Sequence, residues 1–172
     1  MACAIVSGYA LDCKNTVGGI ANIYITELAN VTAVGQNASG YVTGITKTGG
    51  TKFFKYALEP RVANSATNTI QATPANGTVS YAQSIVADFT KLQYATQAKL
   101  QLLIQNRTAI IVETKDGSFF YFGLVNGMEV SAGTAHSGAN MNDKQGYSIT
   151  FTGEEKALAN EVDPSIIAAL QS

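Results

Sequence analysis

His136 is the only histidine in the chain, and so the only side chain whose ordinary pKa suits it to general-base work near neutral pH. A Ser-His-Asp hydrolase needs such a base beside a nucleophile. His136 stands in Thr-Ala-His-Ser-Gly-Ala, a run of small loop residues, and the chain has no Gly-x-Ser-x-Gly elbow. It reads as a loop or interface histidine. Gly44-Ile-Thr-Lys-Thr-Gly49-Gly-Thr51 has the outline of a phosphate loop. However, Gly50 stands where a lysine must reach the phosphates, and the segment joins strands rather than opening a helix. Glu154 and Glu155 are neighbours, whereas the paired carboxylates of a glycosidase come from opposed walls of a cleft. They read as a solvated charge cluster or one side of an inter-subunit ion pair. Asn140-Met-Asn-Asp143 offers oxygen ligands but lacks the EF-hand spacing and its terminal bidentate glutamate. Cys3 and Cys13 are too few and too far apart for a zinc site, and reduced, partly buried thiols are expected. The run Phe119 to Phe122 is aromatic enough to stack bases, but no Lys or Arg is interleaved with it, so packing is the better reading. The expectation is a protein without an active site, cofactor or metal.

Composition points to assembly. Charged residues make up 13% of the 172 residues, against about 25% in an average soluble domain. Thr, Asn, Gly and Ser take their place, which favours strands and turns. Eleven basic side chains against twelve acidic ones leave a net charge of −1, and the Lys and Arg are scattered. Binding to nucleic acid through phosphate neutralisation is therefore disfavoured. A near-neutral chain also repels its own copies weakly. The first residues show no basic region and only a short apolar run, and no stretch approaches the roughly 20 apolar residues of a membrane span. A chain made and kept in the cytoplasm until it joins something larger, with no membrane insertion, is expected. The length suits a single domain over residues 1–172.

The elements that must position these residues are mostly strands. Period-two alternation marks 20–26, 41–46, 51–58, 78–87, 109–114, 118–125 and 147–152, with a shorter strand at 67–72. Gly49-Gly50, Asn76-Gly77 and Asp116-Gly117 carry hairpin signals. Long polar loops are expected near 30–40 and 60–77, and a Gly-, Ser- and Asn-rich stretch at 131–146. One amphipathic helix is predicted at about 88–105, capped by Asp88, with Leu92, Ala95, Leu100, Leu102 and Leu103 on a broad apolar face. Lys99 falls inside that face without explanation. Gln93, Gln97, Gln101 and Gln105 form an uncharged row opposite, as on a helix that meets protein. Asp163-Pro164 opens a short C-terminal helix through Leu170. On the strand 118–125, Phe119 and Tyr121 point one way and Phe120 and Phe122 the other, so both faces need cover. Phe120, Phe122, Ile166, Ile167 and Leu170 are the residues expected at a self-assembly interface.

The sequence from Asp88 through Arg107-Thr-Ala-Ile-Ile-Val-Glu-Thr-Lys-Asp-Gly-Ser-Phe-Phe-Tyr-Phe-Gly-Leu-Val-Asn-Gly-Met-Glu-Val to Asp143-Lys-Gln-Gly-Tyr-Ser-Ile-Thr-Phe-Thr-Gly-Glu-Glu resembles tail tube and related virion structural proteins of tailed bacteriophages. The resemblance spans about residues 85–156. The opening Ser7-Gly-Tyr-Ala-Leu-Asp-Cys-Lys14 with Val17-Gly-Gly-Ile20 resembles the starts of other phage structural proteins. It implies a mainly β fold, a β-barrel or sandwich with one flanking helix. It also implies six copies that pair their sheets around a DNA channel, with rings stacking through a long loop and terminal arms. Residues 30–40 or 47–52 would be the stacking loop. The partners implied are the chain itself and other virion proteins of the tail or neck, with genomic DNA only as passing cargo, and the location is the virion. Two other readings stand beside it: a capsid decoration or head-tail connector protein, and a soluble carbohydrate-binding or adhesin module.

Overall fold

Among the described residues, eleven strands and two α-helices follow one another. The computed structural model describes residue 8 and residues 16–59, 63–90 and 92–172, except for the side chain of Tyr94. Cys3, Cys13 and most of the opening segment lie outside the described residues. The strands are β1 (Ile20–Glu27), β2 (Val31–Gln36), β3 (Val42–Lys47), β4 (Phe54–Ala57), β5 (Ser65–Thr73), β6 (Thr78–Thr90), β7 (Thr108–Thr114), β8 (Phe119–Phe122), β9 (Glu129–His136), β10 (Gly146–Glu155) and β11 (Asn160–Val162). Helix α1 (Tyr94–Gln105) lies between β6 and β7, and α2 (Pro164–Leu170) ends the chain.

Two sheets form, one of seven strands in the order β2-β3-β11-β8-β7-β1-β4 and one of four in the order β5-β6-β10-β9. Neither closes, so the barrel alternative is corrected: the mainly β molecule is built from two open sheets. All pairings are antiparallel except the short contact of β11 with β3.

Alternation along the central strands of the larger sheet divides them between two cores. Ile23, Ile25, Ile110, Val112 and Phe122 face the smaller sheet and meet Ile85, Ala87, Phe89, Ile149 and Phe151, with Leu100 of α1 closing the side. Tyr24, Ala109, Ile111 and Tyr121 face the other way and are covered by Phe53 and by Ile167 and Leu170 of α2. A sheet buried on both faces reads as a continuous apolar run, which is why 109–112 and 119–122 do. Each such side chain contributes about 1.5–3 kcal/mol through burial.

Helix α2 is fastened at both ends. Asp163 accepts a hydrogen bond from the Ser165 N–H at 2.9 Å, and Pro164 occupies the first turn, where a missing N–H costs nothing. The Lys47 Nζ donates to the carbonyls of Ala169, Leu170 and Ser172 at 3.2, 3.0 and 2.7 Å, satisfying acceptors the last turn leaves open.

Several expectations need correction. The 30–40 loop is largely β2, and the Gly-rich stretch begins as β9. The strands flanking Gly49-Gly50 form no hairpin: β3 pairs with β2 and β11, while β4 pairs with β1 at the far edge of the sheet. The main helix starts at Tyr94 rather than Asp88, and its N-cap, Gln93, makes no side-chain bond. Asp88 instead lies buried within β6, ion-paired to Lys144 at 2.5 Å, with its backbone N–H donating to Asn64 Oδ1.

Candidate functional site

The five residues expected at an interface all pack within the chain. Phe122 is buried between the sheets and Phe120 lies half-buried against the same core. Ile167 and Leu170 are buried over the outer face of the larger sheet, with Ile166 half-buried beside them. The second face of β8, which needed either a helix or a neighbouring subunit, is covered by α2. Of the five, Phe120 and Ile166 keep part of their surface exposed.

What the molecule presents outward is the smaller sheet. Its inward positions are fixed by the core residues Ile85, Ala87, Ile149 and Phe151, and the strand register places the alternate residues on the opposite face. Ser65, Thr67, Thr69, Gln71 and Thr73 of β5 stand beside Val86, Ser84, Ala82, Ser80 and Thr78 of β6. Ser148, Thr150, Thr152 and Glu154 of β10 continue the face, followed by Thr134, Ala132 and Glu129 of β9. Hydroxyls dominate it. None of these strand positions is a Lys or Arg. Lys144 is ion-paired to Asp88, and Arg107 to Glu129 at 2.8 Å, while Lys156 follows β10 and is exposed. His136 lies on this face at the end of β9, where its Nε2 is 2.9 Å from Thr134 Oγ1.

Both edges of this sheet, β5 and β9, are long and almost uncharged; Glu129 at the start of β9 is the only Asp, Glu, Lys or Arg in either. An edge strand presents unpaired N–H and C=O groups, and monomeric proteins usually blunt it with charge or proline. Beyond the core, β5 and β6 continue as a two-stranded arm in which residues 67–79 are all exposed. The arm turns through Pro74–Asn76 and Gly77, whose φ of 64° a residue with a Cβ would resist. At its base, Asn68 Oδ1 accepts from the Ala159 N–H at 3.2 Å, and Gln83 accepts from the Gly123 N–H at 2.9 Å.

Glu155 departs from expectation. It is buried, and its Oε1 accepts hydrogen bonds from the N–H groups of Val125 and Asn126 at 2.9 and 2.7 Å, pinning the link from β8 to β9. Glu154, one residue earlier on the strand, faces solvent. The Tyr121 hydroxyl is buried without a hydrogen-bond partner among the described residues, and burial together with the Glu155 charge pushes its pKa well up. In the 137–144 turn, Asp143 Oδ2 accepts from the N–H groups of Ala139 and Asn140 and from the Asn140 amide, and these bonds hold its carboxyl below the usual range. This carboxylate is committed to closing its own loop. Among the described residues no group of three His, Cys, Asp or Glu gathers as a metal site would require, and no helix is long and apolar enough to cross a membrane.

A groove runs between α1 and the β1–β4 edge, about 410 Å³ in volume and lined by Ile25, Phe54, Tyr56, Leu102 and Leu103 with Lys55 and Lys99. Lys99, unaccounted for on the helix, is exposed beside it. The outward threonines of β10 were visible in the sequence as its polar phase. Those of β5 and β9 were not, because strands exposed on both faces show no alternation. No family model, curated protein or solved structure matches this chain.

Proposed function

We propose that the chain is a virion structural protein of a tailed bacteriophage, a tail tube subunit whose copies form stacked hexameric rings around a DNA channel. The observation that carries this reading is the outward face of the four-stranded sheet: broad, hydroxyl-rich, with no Lys or Arg at its outward strand positions and with Lys144 and Arg107 beside it held in ion pairs. DNA that must slide past a wall needs one that offers its phosphates no unpaired Lys or Arg, because such contacts supply most sequence-independent affinity. The nearly uncharged edges β5 and β9, which pair with no further strand among the described residues, give the same sheet the means to pair with neighbouring copies. The sequence resemblance over 85–156 points the same way.

Negative-stain imaging of purified protein at raised concentration tests the proposal. Tubes or six-fold rings with an open centre are expected. Isolated globular particles at every concentration would remove it, and particles seen only on added capsids or connectors would favour the decoration or head-tail connector reading instead.

A further inference from the structure

An asparagine side-chain amide is lost most readily where glycine follows, because a residue without a Cβ leaves its backbone nitrogen open to the asparagine Cγ. The chain has two such pairs, Asn76-Gly77 and Asn126-Gly127. Each lies in a link between strands, and the fold treats the two differently.

Asn126 is clamped. Its side-chain amide donates to the Glu154 carbonyl at 2.7 Å, and its backbone N–H donates to Glu155 Oε1 at 2.7 Å. Gly127 is buried, and a Cβ there would lie 2.6 Å from Arg107 Cγ. Packing this close leaves no room for the extra backbone methylene of an isoaspartate. Asn76 meets none of these constraints. It sits at the tip of the β5–β6 arm, where residues 67–79 are all exposed, and among the described residues no hydrogen bond holds its side chain. The Gly77 N–H donates only to the Pro74 carbonyl, at 3.3 Å, longer than an ordinary N–H···O bond. Nothing stands within 4 Å of the place a Gly77 Cβ would occupy.

We propose that Asn76 is a site of spontaneous deamidation, which leaves aspartate or isoaspartate at the tip of the arm. The Gly77 nitrogen gives up its proton to solvent and attacks Asn76 Cγ. A bond from Cγ to that nitrogen forms as the bond from Cγ to Nδ2 breaks, and Nδ2 departs as ammonia. Water then opens the succinimide ring at either carbonyl, giving the two acids, with no oxidant or reductant involved. No Asp, Glu, Lys or Arg occurs between residues 63 and 87, so the new carboxylate is the only charge in that stretch. The arm thus carries a slow, one-way change from neutral to anionic that sets in with age. The inference stands apart from the assembly reading and holds for a single copy.

The test ages the folded full-length chain in mildly alkaline buffer, then unfolds it and cuts it with a lysine-specific protease for chromatography and mass spectrometry. Peptide 56–91 carries Asn76 and peptide 116–144 carries Asn126. Peptide 56–91 should convert several-fold faster than peptide 116–144, into two new species of one mass, and Asn76→Ser should remove most of that conversion. The same chain aged in urea, where both pairs are free to react, calibrates the chemistry. Equal conversion of the two peptides in the folded chain would overturn the proposal. So would a folded chain whose peptide 56–91 stays intact while the unfolded chain converts, or conversion undiminished in Asn76→Ser.

Discussion

Phe122 and Tyr121 are neighbours on β8 that face different cores, and they should respond in opposite directions to substitution. Phe122 is 3% exposed between the sheets, so Phe122→Ala should cost about 3–5 kcal/mol in urea unfolding. Phe120→Ala, at a half-buried position, should cost less. Tyr121 buries a hydroxyl that has no partner among the described residues. Deleting that oxygen in Tyr121→Phe removes a desolvation penalty of about 1–3 kcal/mol and should raise the urea midpoint. Asp163 makes a prediction about acid. Hydrogen bonds from the Ser165 hydroxyl and N–H hold its carboxyl below the ordinary value. A folded-state pKa below the unfolded one means that the cap stabilises fully above the unfolded value, about 3.9, and is lost as the pH falls through the lower folded one. Asp163→Asn keeps a capping oxygen but cannot titrate. The difference in urea midpoint between wild type and this variant should therefore shrink as the pH falls below about 4, and a difference constant across that range would contradict the assignment.

Among the elements, Glu155 ties β10 to the link between β8 and β9 through two backbone N–H groups. Glu155→Leu leaves both donors without an acceptor, at about 1–3 kcal/mol each. Glu155→Gln retains an amide oxygen and should lose much less. Equal losses from the two variants, measured by urea unfolding, would show that packing rather than acceptance matters there. This clamp also shows where the sequence was legible and where it was not. Strands with a dry side and a wet side, such as β10, declared themselves through Tyr147, Ile149 and Phe151 alternating with Ser148, Thr150 and Thr152. Asp116-Gly117 and Asp163-Pro164 were readable because turn and cap chemistry is local. Val31–Gln36 was obscure because register shifts break its alternation, leaving only Val31 and Val34 against the outer core, and residues 131–136 because a strand exposed on both faces lacks alternation. Asp88 looked like a cap because its charge is offset by Lys144, more than fifty positions away. Gly49-Gly50 looked like a hairpin because strand order in a sheet is decided by distant partners. The residues expected at an interface turn on a related point. An apolar face demands cover, but the residues do not say whether the cover comes from the same chain, and here α2 supplies it for the outer face of β8.

At the scale of the molecule, two open sheets share one core, and the larger keeps a second core beneath α2. The chain thus completes its own interior, while among the described residues no further strand pairs with the edges of the smaller sheet. The proposed passage of DNA over that sheet's outward face carries a quantitative expectation. Wild-type protein should show no salt-sensitive retention on duplex DNA, whereas Thr134→Lys with Thr150→Lys, which places two cations on neighbouring strands of the face, should create retention that falls steeply with added salt. Retention of the wild type with the same salt slope would argue against a conduit. The charge-free arm has a practical consequence as well. Between Arg61 and Lys91 there is no Lys or Arg, so trypsin finds no bond to cut along a hairpin that is exposed from residue 67 to 79. A tryptic digest would score this protrusion as resistant, while elastase, which cleaves after small apolar residues, should nick it at Ala72 or Ala75.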